Sequence, residues 1–199
     1  MDAVNELGMM PALMAGITLS AASGLRVFLP LLAVGLAGRA EWLQLEESFA
    51  WLASEPVLLV LAIAALLETG AYYVPLVDNL LDLVATPAAV GGGTVVLAAL
   101  MPEMDGLLQW AGALTVGGGA AGIVQTATVL TRGLSTASSG GLANPVVATG
   151  ETGGSLALVG MAVFVPIIAG VLVLAGLIGL LVWVFRLLFR RRRLQRGEA

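Results

Sequence analysis

The sequence LSAASGLRVFLP occupies residues 19–30, and LSTASSGGLANP occupies residues 134–145. Each stretch interrupts a long apolar run with Ser, Gly and Pro, and the last two of these weaken or break a regular helix. The pattern Leu-Ser-x-Ala-Ser recurs at an offset of 115 residues, and Pro30 matches Pro145 at the same offset. This recurrence predicts an internal repeat in which each copy contains a broken hydrophobic hairpin.

The chain around these breaks is too apolar for a soluble domain. Of its 199 residues, 59% are hydrophobic and 11% are charged, whereas soluble domains carry roughly 25% charged residues. Several uncharged runs reach the about 20 residues that a helix needs to cross a bilayer. We therefore predict an all-α integral membrane protein. The uncharged runs of this length are 7–25, 83–102, 106–131 and 152–185.

The short apolar segments beside the breaks predict re-entrant hairpins. A helix over 27–38 would span about 18 Å, which is less than the ~30 Å hydrocarbon core. Irregular backbone at that depth is tolerated only inside protein or along a cavity. We expect about five full transmembrane helices, over 7–23, 57–73, 87–100, 106–131 and 154–185, plus re-entrant segments over 26–38 and 133–150.

The number of spans determines how the two repeats are related. With five spans the copies run antiparallel, and such an inverted repeat with broken helices is the pattern of many transporters. If both short segments cross the membrane, there are seven spans and the copies are parallel. We expect one transmembrane domain within 1–199, with repeats at about 7–100 and 106–185 and a basic tail at 186–199.

The tail predicts the orientation of the chain. Six of the nine arginines lie between residues 186 and 196, so the positive-inside rule places the C-terminus in the cytoplasm. The N-terminus carries Asp2 and Glu6 in place of the positive start of a signal peptide, and we expect it outside. The expected partners of the tail are anionic lipid headgroups, and nucleic acid is not expected.

The residue types that are missing exclude several kinds of chemistry. The sequence contains no Cys, His or Lys, so disulfides, thiolate or imidazole metal sites and a Walker A lysine are excluded. No nucleophile–base pair of the usual kinds can form. We therefore expect no enzyme activity, no cofactor and no metal site, although a pair of Asp and Glu residues stays possible as an acid–base device.

Charged residues beside or within apolar runs are the first candidates for a functional site, because charge inside a bilayer is costly. Arg26 and Arg132 each flank a break, Glu68 lies inside an apolar run, and Glu151 follows the second break. One hypothesis is that an arginine pairs with one of the two glutamates where the hairpins meet, and binds an ion or gates a path. The alternatives are snorkelling to an interface and a purely structural ion pair.

Polar residues of the two breaks extend this candidate path. Their oxygen atoms could coordinate a cation, or they could satisfy the backbone groups that a break leaves free. The predicted ion or substrate path consists of Ser20, Ser23, Arg26, Pro30, Glu68, Arg132, Ser135, Thr136, Ser138, Asn144 and Glu151. Glycine-rich stretches at 91–93 and 117–119 predict close helix packing, within the chain or in a homo-oligomer.

An ordered set of motifs resembles the 4126 domain-of-unknown-function family of bacterial inner-membrane proteins. The motifs are those of 20–32, 49–56, Leu67-Glu68, 74–79 and 135–145. The resemblance implies a compact multi-span protein of the bacterial inner membrane, and it implies no particular activity.

The sequence also departs from the pattern of that family. Tyr72-Tyr73 stand where the pattern has Asp-Lys, Gln125 and Thr128 stand where it has His and Lys, and an acidic pair is reduced to Glu151. A charge-relay mechanism is therefore not implied for this member.

The function most consistent with these features is a small secondary transporter or channel for an ion or small solute. The first alternative is binding or flipping of an anionic lipid, with Arg26 as the headgroup ligand. The second alternative is a non-catalytic membrane scaffold that uses its glycine-rich faces.

Overall fold

In the computed structural model, the described backbone covers residues 2–195, and the described side chains are those of 8–74, 84–182 and Arg186. Within this part of the chain the backbone is helical apart from short connections, and no β-strand occurs, as the predicted all-α class requires. The elements are α1 (Asp2–Ser23), α2 (Phe28–Arg39), a 3-10 helix (Glu47–Ala53), α3 (Glu55–Ala71), α4 (Pro75–Leu100), α5 (Gly106–Gly112), a π-helical segment (Ala113–Gly118), α6 (Gly119–Ser139), α7 (Asn144–Phe164) and α8 (Pro166–Gln195).

Two described helical stretches are long and apolar enough to cross a membrane. They are the 34-residue stretch Gly106–Ser139, which joins α5 to α6 through the π-helical segment, and the 21-residue helix α7. The 3-10 helix and α3 meet at 63° and would make a third span if they count as one. The apolar helices are compatible with a membrane protein, and the expected five full spans remain a prediction.

Helix α1 lies at the centre of the bundle and contacts α4, α6, α7 and α8. Its buried residues Ala15 and Leu19 belong to one apolar cluster with Val96 of α4 and Ala121 of α6. Helix α3 is peripheral: its main contacts are with α2 and the 3-10 helix. Helix α1 therefore packs against α6 and α7, the helices that carry Arg132 and Glu151.

Glycines bring α1, α4 and the π-helical segment together. A Cβ atom on Gly117 would overlap the carbonyl oxygen of Gly93 and the side chain of Leu97. Across the same contact, Oγ of Ser20 donates a hydrogen bond to the carbonyl oxygen of Gly93 at 2.8 Å. The predicted close packing is therefore confirmed at Gly93 and Gly117, where it joins segments of the same chain, whereas no described atom lies within 4 Å of a Cβ on Gly119.

The second break is shorter than predicted. We expect an interruption over 133–150, but α6 continues to Ser139 and α7 begins at Asn144, so that four residues separate two helices. The polar side chains fit inside helices because they bond to their own backbone. Oγ of Ser139, for example, donates to the carbonyl oxygen of Ser135 at 2.7 Å. Composition alone overestimated the length of the break.

Proline has opposite effects in two helices. The pattern predicts one final helix over 154–185 with a kink at Pro166. The structure instead has two helices, since Val165 leaves the helical conformation (φ −141°, ψ 56°) and α8 begins at Pro166. Proline lacks the N–H and clashes with the preceding turn, which explains this break. By contrast, Pro87 lies inside the continuous helix α4, where a new span was predicted to begin.

The first break agrees with its prediction in position and length. Helix α1 ends at Ser23 and the 12-residue helix α2 begins at Phe28. At the other end of the chain, the backbone of α8 runs to Gln195. The tail side chains after Arg186, like the N-terminal ones before residue 8, lie outside the described residues. The lipid contacts of the tail and the orientation of the chain remain predictions.

Candidate functional site

Arg26 lies in the connection between α1 and α2, and only 1% of its surface is exposed. Its guanidinium is held by α7. Nε donates to Oγ1 of Thr152 at 3.0 Å, Nη1 to Oε2 of Glu151 at 2.9 Å, and Nη2 to the carbonyl oxygen of Ala148 at 2.8 Å. The first break is therefore tied directly to the helix that follows the second break.

Glu151 accepts hydrogen bonds from both candidate arginines. Arg132 of α6 is 4% exposed and Glu151 of α7 is 6% exposed. Nε of Arg132 donates to Oε1 of Glu151 at 3.0 Å, and its Nη2 pairs with Oε2. Such two-point contacts are among the strongest ion pairs in proteins. The predicted pairing is confirmed for Glu151, and snorkelling is wrong for both arginines because their side chains are buried.

Tyr72 packs against both guanidinium groups. The Cζ atom of Arg26 lies 4.3 Å from the centre of its ring, and that of Arg132 lies 3.8 Å from it. Cations over an aromatic face are attracted by its negative potential. Among the described residues, these two like charges share one carboxylate and one aromatic ring. We call Arg26, Tyr72, Arg132 and Glu151 the arginine cluster.

Sequence reasoning did not place Tyr72 in the site. A tyrosine at the end of an apolar run is ordinary at a membrane interface, so Tyr72 gives no local signal of contact with a cation. Two hints were present: Tyr72 stands where the resembled family pattern has an acidic residue, and Arg26 and Arg132 needed partners in the interior. Only the folded chain shows that the ring of Tyr72 contacts both arginines.

Glu68 of α3 stabilises the first turn of α2. Its Oε1 accepts a hydrogen bond from the backbone N–H of Val27 at 2.7 Å, and its Oε2 accepts one from Phe28 at 3.0 Å. The first N–H groups of a helix lack partners within the helix and carry partial positive charge, so a carboxylate there is favourable. The predicted charge inside an apolar run is therefore a cap supplied by a neighbouring helix.

A cavity of about 380 Å³ lies beside the arginine cluster, within the size range of small-molecule sites. Glu68, Tyr72 and Gln125 are the polar residues among those described around it, and neither arginine of the cluster lines it. The other described lining residues are Val27, Phe28, Ala64, Leu67, Ala71, Val84, Ala85 and Ala88. Among the described residues, the arrangement is an apolar cavity with one carboxylate in its wall.

The hydroxyl groups of the first break are directed into the protein core. Ser20 bonds to α4 as described above, and Oγ of Ser23 donates to the carbonyl oxygen of Leu19 at 3.1 Å. Both serines and Pro30 are buried. None of the three lines the cavity. Their observed role is backbone satisfaction and packing, which is the alternative that sequence reasoning left open.

The polar residues of the second break also stay away from the cavity. Nδ2 of the buried Asn144 donates to Oγ1 of Thr136 at 3.2 Å, and Oγ of Ser138 donates to the carbonyl oxygen of Ser135 at 3.2 Å. Thr136 and Ser138 are exposed, and Ser135 is half-buried. The fold therefore brings together the four charged candidates, whereas the hydroxyl and amide candidates are not among the described residues that line the cavity.

A larger cavity, of about 660 Å³, lies near the start of α1 and is unrelated to these charges. It is lined by residues such as Ala12, Trp42 and Met101. The part of α1 between Ala12 and Ser23 is about 16 Å long, so this cavity and the arginine cluster lie at different ends of the helix. We place the candidate site at the smaller cavity, because buried charges adjoin it.

Comparison with known proteins agrees with the motif resemblance. Residues 13–187 match the family described as "Domain of unknown function (DUF4126)", and this match includes both breaks, the arginine cluster and Glu68. No curated protein and no solved structure matches the chain. Because the match covers most of the sequence, the chain belongs to this family of domains of unknown function.

Proposed function

We propose that the chain is a small secondary transporter or channel for an ion or small solute, with its path where the two breaks meet. The observation that carries the proposal is the arginine cluster, which joins the first break to α6 and α7 directly beside the 380 Å³ cavity at Glu68. Small-molecule sites in membrane proteins are commonly built where broken helices meet.

The position of the charges supports a functional role. Arg132 lies within the membrane-length stretch Gly106–Ser139, and Glu151 lies within the membrane-length helix α7. Charge on such helices is costly and usually marks a path or a binding site. For stability alone, apolar residues of similar volume often replace a buried ion pair without loss. Packing by itself is therefore a weak reason to have these charges.

The helix boundaries support the repeat on which the proposal builds. Helix α1 ends at residue 23, which corresponds to residue 138 at the offset of 115, and α6 ends at Ser139. Helix α2 begins at residue 28, which corresponds to residue 143, and α7 begins at Asn144. The two helix–break–helix units thus agree to within one residue at each boundary. We propose that they are copies related by inversion, in a bacterial inner-membrane protein whose C-terminus is cytoplasmic.

Reconstituted protein tests the proposal. Purified full-length chain in sealed liposomes is assayed for flux of a broad panel of ions, amines, organic acids and sugars, with protein-free liposomes as the baseline. We expect flux of at least one solute class, and we expect Glu68→Gln to reduce it while the exposed Glu103→Gln variant matches the unmodified protein. Absence of flux for the whole panel, with the protein shown to be folded, would overturn the proposal.

Lipid handling is the second candidate, and the apolar lining of the cavity favours it. In that case the cavity would receive part of a lipid between α3 and α4. Arg26 is not a suitable ligand for an anionic headgroup, because its donors are bound to Glu151, Thr152 and Ala148. Movement of fluorescent lipids between leaflets of proteoliposomes, in a preparation without solute flux, would favour this candidate.

A further inference from the structure

We infer that the cavity at Glu68 binds an amphiphilic ammonium ion, with the hydrocarbon part against the apolar walls and the ammonium on the Glu68 carboxylate. This inference rests on the proposed function and names its substrate class. It is carried by the joint presence of one accessible carboxylate, mostly apolar described walls, and arginines that are already bound elsewhere.

The walls determine the apolar part of the ligand. Eight of the eleven described lining residues are apolar, and they come from the start of α2, from α3 and from α4. Burying hydrocarbon there is favourable by the hydrophobic effect, roughly in proportion to the buried area. A small hydrated inorganic cation would instead lose its water against walls that offer few replacement oxygens. An organic cation suits the cavity better.

Glu68 supplies the polar part of the site. An ionised carboxylate has two acceptor positions on each oxygen, and each oxygen of Glu68 accepts one backbone hydrogen bond, from Val27 or Phe28. Each oxygen therefore retains capacity for a further donor. Because Glu68 also lines the cavity, a bound ammonium group can donate to it and gain a charge-assisted hydrogen bond.

The surroundings disfavour an anionic ligand and a metal ion. Arg26 and Arg132 donate to Glu151 and do not line the cavity, so an anion there would face Glu68 without contacting either guanidinium. Among the described residues, no group of three or more Asp, Glu, His or Cys side chains is arranged to hold a metal ion. A cation with its own N–H donors and an apolar body is attracted to Glu68 and does not need several carboxylate ligands.

Binding of a matched series of probes tests the inference. Full-length protein in lipid nanodiscs is titrated with hexylammonium, hexanol and hexanoate, and the heat measured with empty nanodiscs is subtracted. We expect saturable binding of hexylammonium and much weaker binding of the neutral and anionic probes. Glu68→Gln should weaken hexylammonium binding about 30-fold or more, as expected for loss of one partner of a buried charge pair. Glu103→Gln should not change it.

A second pair of variants keeps Glu68 and its contacts intact. Ala64 lines the cavity, whereas the half-buried Ala62 on the same helix does not. Ala64→Leu fills part of the cavity and should weaken hexylammonium binding, while Ala62→Leu adds the same volume elsewhere and should not. Equal binding of hexanol and hexylammonium, or full affinity in both Glu68→Gln and Ala64→Leu, would overturn the inference.

Flux measurements separate this inference from the proposed function. If hexylammonium does not bind but flux of another solute depends on Glu68, the inference is overturned and the transporter proposal stands. If hexylammonium binds with the expected dependence on Glu68 and Ala64 but no solute crosses the membrane, the binding site is supported and the transporter proposal fails.

Discussion

The two breaks share a sequence pattern but lie in different environments. In the first break, Ser20 and Ser23 are fully buried, and a Cβ atom on Gly24 would overlap the backbone of α6. In the second break, the turn is made by Gly140 and Gly141, with φ of 63° and 88°. The first break is held by neighbouring helices, and the second is shaped mainly by its own backbone conformation.

This difference shows that a shared motif does not imply a shared role. Leu-Ser-x-Ala-Ser ends a helix in both places, but only the first copy bonds to another helix through its first serine. The connection of the first break also supplies Arg26 to the arginine cluster, whereas the second is linked to the cluster through the helices on either side of it. Substitutions at matching positions should therefore have unequal effects.

The largest expected effect is at Glu151, which connects the two halves. Glu151→Ala leaves the buried guanidiniums of Arg26 and Arg132 without this shared carboxylate, and should lower the free energy of unfolding by about 3–5 kcal/mol. The measurement is loss of helical circular dichroism during titration of detergent-solubilised protein with sodium dodecyl sulfate. The exposed Glu103→Ala serves as the control, and a change no larger than that of the control would mean that the cluster does not stabilise the junction.

A matched glycine pair tests the difference in packing. Gly35 and Gly150 occupy equivalent positions at the offset of 115. A Cβ on Gly35 would overlap the carbonyl oxygen of Leu52, whereas no described atom lies within 4 Å of a Cβ on Gly150. Gly35→Ala should lower the free energy of unfolding by about 1–3 kcal/mol through overpacking. Gly150→Ala should raise it by about 0.5–1 kcal/mol, because alanine favours the helix. Thermal unfolding of both variants, measured in parallel, compares the two changes in stability. Equal changes in the unfolding temperature would contradict the proposed difference in packing.

The turn of the second break is tested at Gly140. Because its φ is +63°, Gly140→Ala should lower the free energy of unfolding by about 1–2 kcal/mol. Gly140→Asn should lower it less, since asparagine adopts this conformation more readily than alanine. Proteolysis of the connection between α6 and α7 in folded protein gives an independent readout. If alanine and asparagine behave alike, left-handed backbone strain is not what shapes this turn.

The smallest expected effect concerns the first serine of each motif. Ser20→Ala removes a buried hydrogen bond to Gly93 and should lower the free energy of unfolding by about 0.5–1.5 kcal/mol. The Oγ atom of Ser135 is buried without a hydrogen-bond partner in the described structure, so Ser135→Ala should be neutral or slightly stabilising. Chemical denaturation of both variants in the same detergent gives their free energies of unfolding. A larger loss of stability in Ser135→Ala than in Ser20→Ala would contradict the roles assigned to the two serines.

Local sequence patterns predicted much of the helical architecture but missed its boundaries. The first break, the 12-residue α2 and the close packing at Gly93 and Gly117 follow from helix-breaking residues and small side chains. The polar composition of 133–150 misled the prediction, because hydroxyl groups can bond to the backbone of their own helix. The two prolines were also misassigned: a new span was predicted at Pro87 and only a kink at Pro166, whereas α4 continues through Pro87 and α8 begins at Pro166. The surrounding contacts decide whether a helix continues through a proline.

The sequence identified the charged residues of the candidate site, but it did not identify Tyr72 or the cavity. One hypothesis from the sequence paired Arg26 or Arg132 with Glu68 or Glu151, because unpaired charge inside an apolar bundle is unfavourable. That both arginines share Glu151 did not follow from the sequence. The contact of Tyr72 with both arginines could not be predicted, nor could the finding that the serines do not line the cavity. These contacts join residues far apart in the chain, and their geometry depends on how several helices pack.

The sequence by itself determined that this chain is apolar and helical, that it lacks Cys, His and Lys, that it repeats a broken motif, and that a few charges must find partners. Composition and a direct comparison of segments are sufficient for those conclusions, because none of them requires knowing which residues are in contact. The tertiary structure decided that Glu151 holds both arginines, that Glu68 caps α2 beside a cavity, and that the two copies of the motif differ in burial. Those outcomes depend on contacts between distant helices, which the order of residues does not reveal.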